Sequence, residues 1–347
     1  MSVEHGSAAQ PSTDSQGVKL IFELTSLCNF SCTHCIREEG EPGFLPVALV
    51  ERVLAETRRY GNVNYVAFTG GEPTLHPEFA KLLALAASHG HQFGFVTNGW
   101  RFADRTFAQV EPYRDSLSHV TFSIDGAAEE THDTLRRRKG SFRRLMQAVT
   151  LCRLHRVSVH MNMVVTRANR SELEAMALLA SRTGCDALLY GHCQPTPHAL
   201  AAGLVLGSGE RRQVEEEIGR LQSLFRMPIL LAGDHYNPSR FYQCPQFQMR
   251  EFNIDHRGRL TTCCMLSGYR GGTPDTDVVA DLRKVSFYEA HRQLVAVIAR
   301  LNLEKIDRLN EPDVKEKDHF ICTHCLEHFG KVPRQVLRSS LPILAAG

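Results

Sequence analysis

What this sequence has little of is net charge: 40 Lys and Arg stand against 38 Asp and Glu, a formal +2. No broad positive field therefore favours nucleic acid as a partner. It has no run of about 18 uninterrupted apolar residues, which excludes a conventional membrane-spanning helix. The first stretch, Ser2 to Gln16, is small and polar and has no apolar signal core. Residues 1–17 thus read as a disordered lead-in rather than a secretion signal, and the expected compartment is cytoplasmic. Internal repeats are missing, and so is low-complexity sequence beyond the N-terminus.

Cysteine is the residue in unusual supply, with 11 in the chain. A chain of 347 residues buries enough core to fold without disulfides, and without a secretion signal its thiols stay reduced. Clustered thiols in that setting point to metal binding or chemistry. Cys28, Cys32 and Cys35 lie together early; Cys244, Cys263, Cys264, Cys322 and Cys325 fall late. Cys152 and Cys185 read as small buried hydrophobes.

Short β-branched or aromatic runs alternate with amphipathic segments. Strands are expected at Lys19–Thr25, Asn64–Thr69, Gln92–Thr97, His119–Ile124, Ser158–Val165 and Ala187–His192. Helices are expected at Pro46–Tyr60, Pro77–His89, Ser141–His155, Arg170–Arg182 and Gly209–Phe225. Repeated strand–helix units give a parallel sheet with helices outside, so the fold class is α/β, a partial (β/α)6 TIM-like barrel over residues 18–226. After Phe225 the alternation stops. Met249–Met265 reads as a β-hairpin turning at Asp255–Gly258, and Phe287–Arg308 as a helix, giving a small C-terminal unit over 227–330 and a tail over 331–347.

In such folds the chemistry gathers at the C-terminal ends of the strands. Cys28 follows the first strand, Gly70-Gly71-Glu72 the second, Asn98-Gly99 the third, Asp125-Gly126 the fourth and Cys193-Gln194 the sixth. The loop Cys28-Asn-Phe-Ser-Cys32-Thr-His-Cys35 carries three thiolates. By spacing alone it suits either an iron–sulfur cluster with one iron left open or a structural zinc completed by His34 or a distant residue. The basic run Arg136-Arg137-Arg138-Lys139 reads as a solvated loop face.

CxxxCxxC after a first barrel strand, followed in order by Gly70-Gly71-Glu72-Pro73, Thr97-Asn98-Gly99 and Ser123-Ile124-Asp125-Gly126, resembles the radical S-adenosylmethionine (SAM) superfamily. The resemblance implies a 4Fe–4S cluster on Cys28, Cys32 and Cys35 whose free iron chelates the methionine end of SAM. One electron, from an external reductant such as flavodoxin or ferredoxin, then yields a 5′-deoxyadenosyl radical. It assigns SAM contacts to Gly70, Gly71, Glu72 and Pro73 (glycines letting the backbone approach the ligand), to His34 beside the adenine, and to Asn98 and Ser123.

Cys244, Gly258, Cys263 and the pair Cys322 and Cys325 resemble the C-terminal extension called SPASM in its shorter, twitch form. No cysteine follows Cys325. That resemblance implies a second 4Fe–4S cluster on Cys244, Cys263, Cys322 and Cys325. The glycine spacing favours Cys263 over its neighbour, and adjacent strand residues face opposite ways, so only one of Cys263 and Cys264 should reach it. A structural zinc knot is the bland alternative, and would make the chain a zinc-stabilised binding module rather than an enzyme. An auxiliary cluster implies hydrogen abstraction followed by oxidation. An epimerase would instead return a hydrogen from a thiol, with Cys193 or Cys264 as candidate donors. Relatives that modify peptides often carry a leader-binding N-terminal domain, and few residues precede the first strand here. The substrate expectation is therefore a small polar metabolite such as a sugar or aminocyclitol, contacted by Asp125, His192 and Gln194, with peptide modification as the alternative.

Overall fold

The computed structural model describes residues 17–38, 42–60, 63–239, 242–311 and 318–332; the expected lead-in and C-terminal tail lie almost wholly outside them. Its strands are β1 (Val18–Glu23), β2 (Val63–Thr69), β3 (Gln92–Thr97), β4 (Leu117–Ser123), β5 (Val159–Val165), β6 (Ala187–His192), β7 (Ile229–Leu231), β8 (Glu251–Ile254), β9 (Arg259–Thr261) and β10 (Val278–Asp281). The main helices are α1 (Val47–Thr57), α2 (Phe79–Ser88), α3 (Phe107–Val110), α4 (Glu129–Arg136), α5 (Ser141–Leu154), α6 (Leu173–Arg182), α7 (Pro197–Ala201), α8 (Ser208–Leu224), α9 (Phe287–Leu309) and α10 (Ile321–His328).

All the strands join one sheet in the order β10-β9-β8-β1-β2-β3-β4-β5-β6-β7. From β1 to β7 every neighbouring pair is parallel, as strand–helix alternation requires. The helices press apolar stripes on this sheet. In α1 the buried set is Val47, Leu49, Val50, Val53, Leu54 and Thr57, the spacing of one helix face. Phenylalanines fill the layer beneath: Phe22, Phe68 and Phe93 lie ring to ring at 6.2 Å, and Phe102 meets Phe122 at 5.0 Å.

Two features extend the expected six-stranded sheet. Ile229–Leu231 pairs in parallel with β6 as a seventh strand. The C-terminal hairpin does not stand apart either: Glu251–Ile254 pairs in parallel with Lys19–Phe22 of β1, and β9 and β10 continue antiparallel beyond it. Residues 227–330 therefore touch both edges of the barrel sheet, and the second cysteine group is carried on the side of β1, which also delivers the first. Behind the hairpin α9 docks through Phe287 and His291 on Phe252. No helix among the described residues is long and apolar enough to cross a membrane.

Candidate functional site

The loop that leaves β1 is built by its own polar residues. Thr25 Oγ1 donates to the Gly43 carbonyl (2.7 Å) and accepts the Leu27 amide (3.0 Å), turning the chain outward before Cys28. A further turn, Cys35 N to Cys32 O at 3.2 Å, sets the second and third cysteines side by side. Cys32 is buried and Cys35 half-buried. Cys28 is exposed, and its thiol is raised by partial desolvation, with Glu72, Cys32 and Cys35 adding to it, while a Phe30 amide pulls the other way. The three thiols thus sit within electrostatic reach of one another, and as thiolates they repel unless a cationic group lies among them.

The Gly70-Gly71 turn packs directly on this loop. Gly71 N donates to Thr25 O (2.8 Å) and Glu72 N to Leu27 O (2.7 Å). A Cβ on Gly71 would stand 2.1 Å from the Leu27 carbonyl, and Gly70 has φ +127°. The glycines serve the approach of one backbone to another. Glu72 is buried and accepts from Thr74 Oγ1 (2.6 Å), Thr97 Oγ1 (2.7 Å) and the Asn98 amide (2.8 Å). Burial raises its carboxyl while these donors oppose the rise. Asn98 reaches back to Asn29 Oδ1 (2.8 Å) and lies 4.0 Å from Cys28 Sγ. Pro73 opens the short turn Pro73–Leu75, and Ser123 ends β4 on the same rim.

Asp125 and the basic run differ from expectation. The Asp125 carboxylate is wholly buried, accepts the Val164 amide (3.0 Å), and is paired with His34 Nε2 (3.1 Å) and Arg136 Nε (2.5 Å). Burial alone would raise it, but Arg136 and His34 hold it well below the usual carboxylate range. Asp125 is therefore engaged by protein, not presented to a substrate. Arg136, expected on a solvated face, is buried at the end of α4, with Nη1 3.8 Å from Cys32 Sγ. Arg138 stays outside and covers Trp100, 4.3 Å from its ring. That indole, edge-on to Phe30 at 5.8 Å, was missed by sequence reasoning, although it is the only tryptophan and follows Gly99 at a strand end. His34 is buried with Nδ1 unpartnered among the described residues.

At the end of β6, His192 Nε2 meets Glu215 Oε1 at 2.8 Å, so this residue too is held by protein. Gln194 is buried; its Nε2 donates to His192 O (3.2 Å) and its Oε1 finds no partner among the described residues. Cys193 lies between them, buried, its thiol pushed up to about 12 by burial with Asp125 adding to the effect. That keeps it protonated.

The later cysteines gather from three segments: Cys244 before β8, Cys263 after β9, and Cys322 and Cys325 one turn apart on α10. Asp234 anchors that helix by accepting the Cys322 and Thr323 amides (3.1 and 3.2 Å), and Arg211 holds Asp234 at 2.8 Å. Burial pushes the Cys322 thiol well up, with Asp234, Cys325 and Cys244 near it; Cys325 is raised by burial and by Cys244. Cys263 and Cys264 lie side by side: Cys263 is raised first by its neighbour, then by burial and by Cys322 and Cys244, while Cys264 is lowered by Cys263, with Arg37 and Lys19 adding and burial and Glu251 opposing. The Met265 amide donates to Cys263 Sγ at 3.3 Å, and amides of Phe247 and Gln246 point to Cys244. Such N–H donors favour thiolates, so both cysteine groups have the donor set an iron–sulfur cluster needs. Among the described residues no three His, Cys, Asp or Glu side chains form a site for a single metal ion.

Residues 22–180, from β1 through most of α6, match the model of the radical SAM superfamily. Proteins of that family use SAM and a 4Fe–4S cluster. Over 168 residues the chain is 35% identical to mycofactocin maturase MftC of Mycobacterium tuberculosis (strain CDC 1551 / Oshkosh), a match covering 48% of this chain and 42% of that protein. The match thus spans less than half the length of that relative. Over 254 residues it is 27% identical to PqqA peptide cyclase of Gluconobacter oxydans (strain 621H), covering 71% of this chain and 70% of that one. Among solved structures, SuiB of Streptococcus suis bound to S-adenosylmethionine superposes with a TM-score of 0.65 at 15% identity, over 82% of this chain and 68% of SuiB. At that identity the likeness speaks for the fold.

Proposed function

We propose that this protein is a radical SAM maturase that oxidises a residue of a peptide substrate, using a second iron–sulfur cluster as the nearby electron acceptor. The observation that carries the substrate class is the pair of relatives above, a maturase and a peptide cyclase. Their weight favours the peptide alternative over the expectation of a sugar or aminocyclitol, which rested on the shortness of the N-terminal segment. In this reading Cys28, Cys32 and Cys35 hold the SAM-cleaving cluster, and Cys244, Cys263, Cys322 and Cys325 hold the auxiliary one. Once bound, the cluster and SAM would supply radical hydrogen-abstraction chemistry. The protein contributes position and exclusion of water. Glu72 locks the Asn98 rim to the cysteine loop, and Arg136 and Asp125 fix Cys32 and His34.

One observation favours a second reading. Cys193 is a buried, protonated thiol at a strand end, as a hydrogen-atom donor must be, and would make the outcome epimerisation. The test is to incubate reconstituted protein, SAM and reductant with the short peptide encoded nearest its gene, and in parallel with a panel of polyols and aminocyclitols. Peptide-dependent 5′-deoxyadenosine and a peptide lighter by two hydrogens are expected. A peptide of unchanged formula that gains deuterium from solvent would move the assignment to epimerisation. Turnover of a polyol with no change in the peptide would overturn it.

A further inference from the structure

An ion pair lies between the two cysteine groups. Arg37, shortly after Cys35, is paired through Nη2 with Glu23 Oε1 at 3.0 Å. Glu23, the last residue of β1, is 3% exposed and also accepts from Asn253 (2.9 Å) and Ser267 Oγ (3.0 Å). Arg37 donates to the Ser267 carbonyl, and the Ser267 amide donates to Cys263 O at 3.1 Å. Around this link two stretches of backbone are knitted together. Glu38 N meets Gly268 O at 2.8 Å, Arg270 N meets Ile36 O at 2.8 Å, and Arg270 Nε meets Arg37 O at 3.0 Å. A short path of covalent and hydrogen bonds therefore runs from Cys35 to Cys263. The guanidinium also lies within electrostatic reach of Cys35, Cys263 and Cys264.

A buried ion pair is a costly way to join two loops, because desolvation can exceed the Coulombic gain. What it supplies beyond an apolar contact is a fixed charge in a fixed orientation. A positive charge near a cluster favours the reduced, more negative state, and an anion beside it offsets that effect.

We propose that the Glu23–Arg37 pair positions the second cysteine segment against the first loop and sets the reduction potentials of the clusters on either side, Arg37 raising them and Glu23 moderating the rise. This rests on the two-cluster reading. The test uses full-length protein reconstituted anaerobically, with iron content, potentiometric EPR of both clusters and thermal melting of the apo-protein. Arg37→Gln is expected to keep its iron and move both midpoints to more negative values. Glu23→Gln, measured at alkaline pH where the carboxylate is ionised, is expected to move them to more positive values. Arg37→Lys keeps the charge without the planar fork, so its potentials stay near wild type while it melts lower. Opposite signs cannot come from a loosened fold. Shifts of one sign in both substitutions, or none, overturn the proposal and leave the two-cluster reading standing. If Arg37→Gln does not fold, the Glu23→Gln shift decides: positive supports it, zero or negative overturns it. Iron for only one cluster in the wild type would overturn both.

Discussion

Removing the Arg136 guanidinium takes the permanent cation from two buried partners, the Asp125 carboxylate at 2.5 Å, which keeps only His34 and the Val164 amide, and the Cys32 sulfur at 3.8 Å. Breaking one side of a buried pair costs about 3–5 kcal/mol, and Arg136→Met is expected to lose that much in denaturant unfolding of the apo-protein. A loss below about 1 kcal/mol would place Arg136 among ordinary surface cations. Its sequence context gave no sign of this, because Arg136-Arg137-Arg138-Lys139 looks uniform. What separates the four is that α4 ends there: Arg137 takes a left-handed conformation at φ 52° and turns the rest of the run outward. The doublet Cys263-Cys264 is not separated by strand alternation, since β9 ends at Thr261 and both cysteines lie in the turn that follows, side chain against side chain; what favours Cys263 as the ligand is its nearness to Cys244 and Cys322. Cys263→Ala is expected to lose the auxiliary iron and, with it, the staple on the C-terminal segment. Cys264→Ala is expected to retain both. The reverse outcome in iron analysis would exchange their roles.

At the scale of elements, strands whose residues are buried on both faces declare themselves, and β3 and β6 lie where their apolar runs place them. Short elements do not. Three-residue β7 carries too few side chains to show a period, and α10 reads first as a cysteine pair rather than as a helix, whereas β8 and β9 were legible as a hairpin through the turn at Asp255–Gly258. The turn after β2 was legible as a glycine motif, but its physical reason came only with the partner backbone. Gly71→Ala forces a Cβ against the Leu27 carbonyl, and overpacking of this kind costs about 1–3 kcal/mol. The apo-protein should melt lower and SAM binding should weaken together; unchanged melting would show that the two loops do not touch as described. A different element-level effect is built into β4 and β5. His119 stacks on His160 at 3.8 Å and on Tyr65 at 5.8 Å. Burial, with His160 and Lys19 beyond it, pulls the His119 imidazole down to about 3. The unfolded chain takes up this proton at about pH 6.5, and the folded one does not until about pH 3. Stability present above the higher value is therefore lost as pH falls through that window. His119→Gln is expected to flatten the apo-protein's melting profile there, and a profile of unchanged slope would remove His119 as a cause.

Over the whole molecule, one sheet brings both cysteine groups towards β1, the first on the loop that leaves it and the second shared between α10 and the segments flanking the hairpin added to its free edge. That arrangement was half visible in sequence. Strand–helix alternation and rim motifs set out the barrel and the first loop, while the joining of β8 to β1 depends on contacts between residues more than 200 positions apart, which no local pattern records. The account's central claim is that the loop Cys28–Cys35 carries SAM cleavage, and 5′-deoxyadenosine formation by the reconstituted protein with SAM and a strong reductant tests it most directly. The wild type should form it. The triple substitution Cys28→Ala, Cys32→Ala and Cys35→Ala should form none while keeping the iron held by Cys244, Cys263, Cys322 and Cys325. Continued formation of 5′-deoxyadenosine by that variant would contradict the claim.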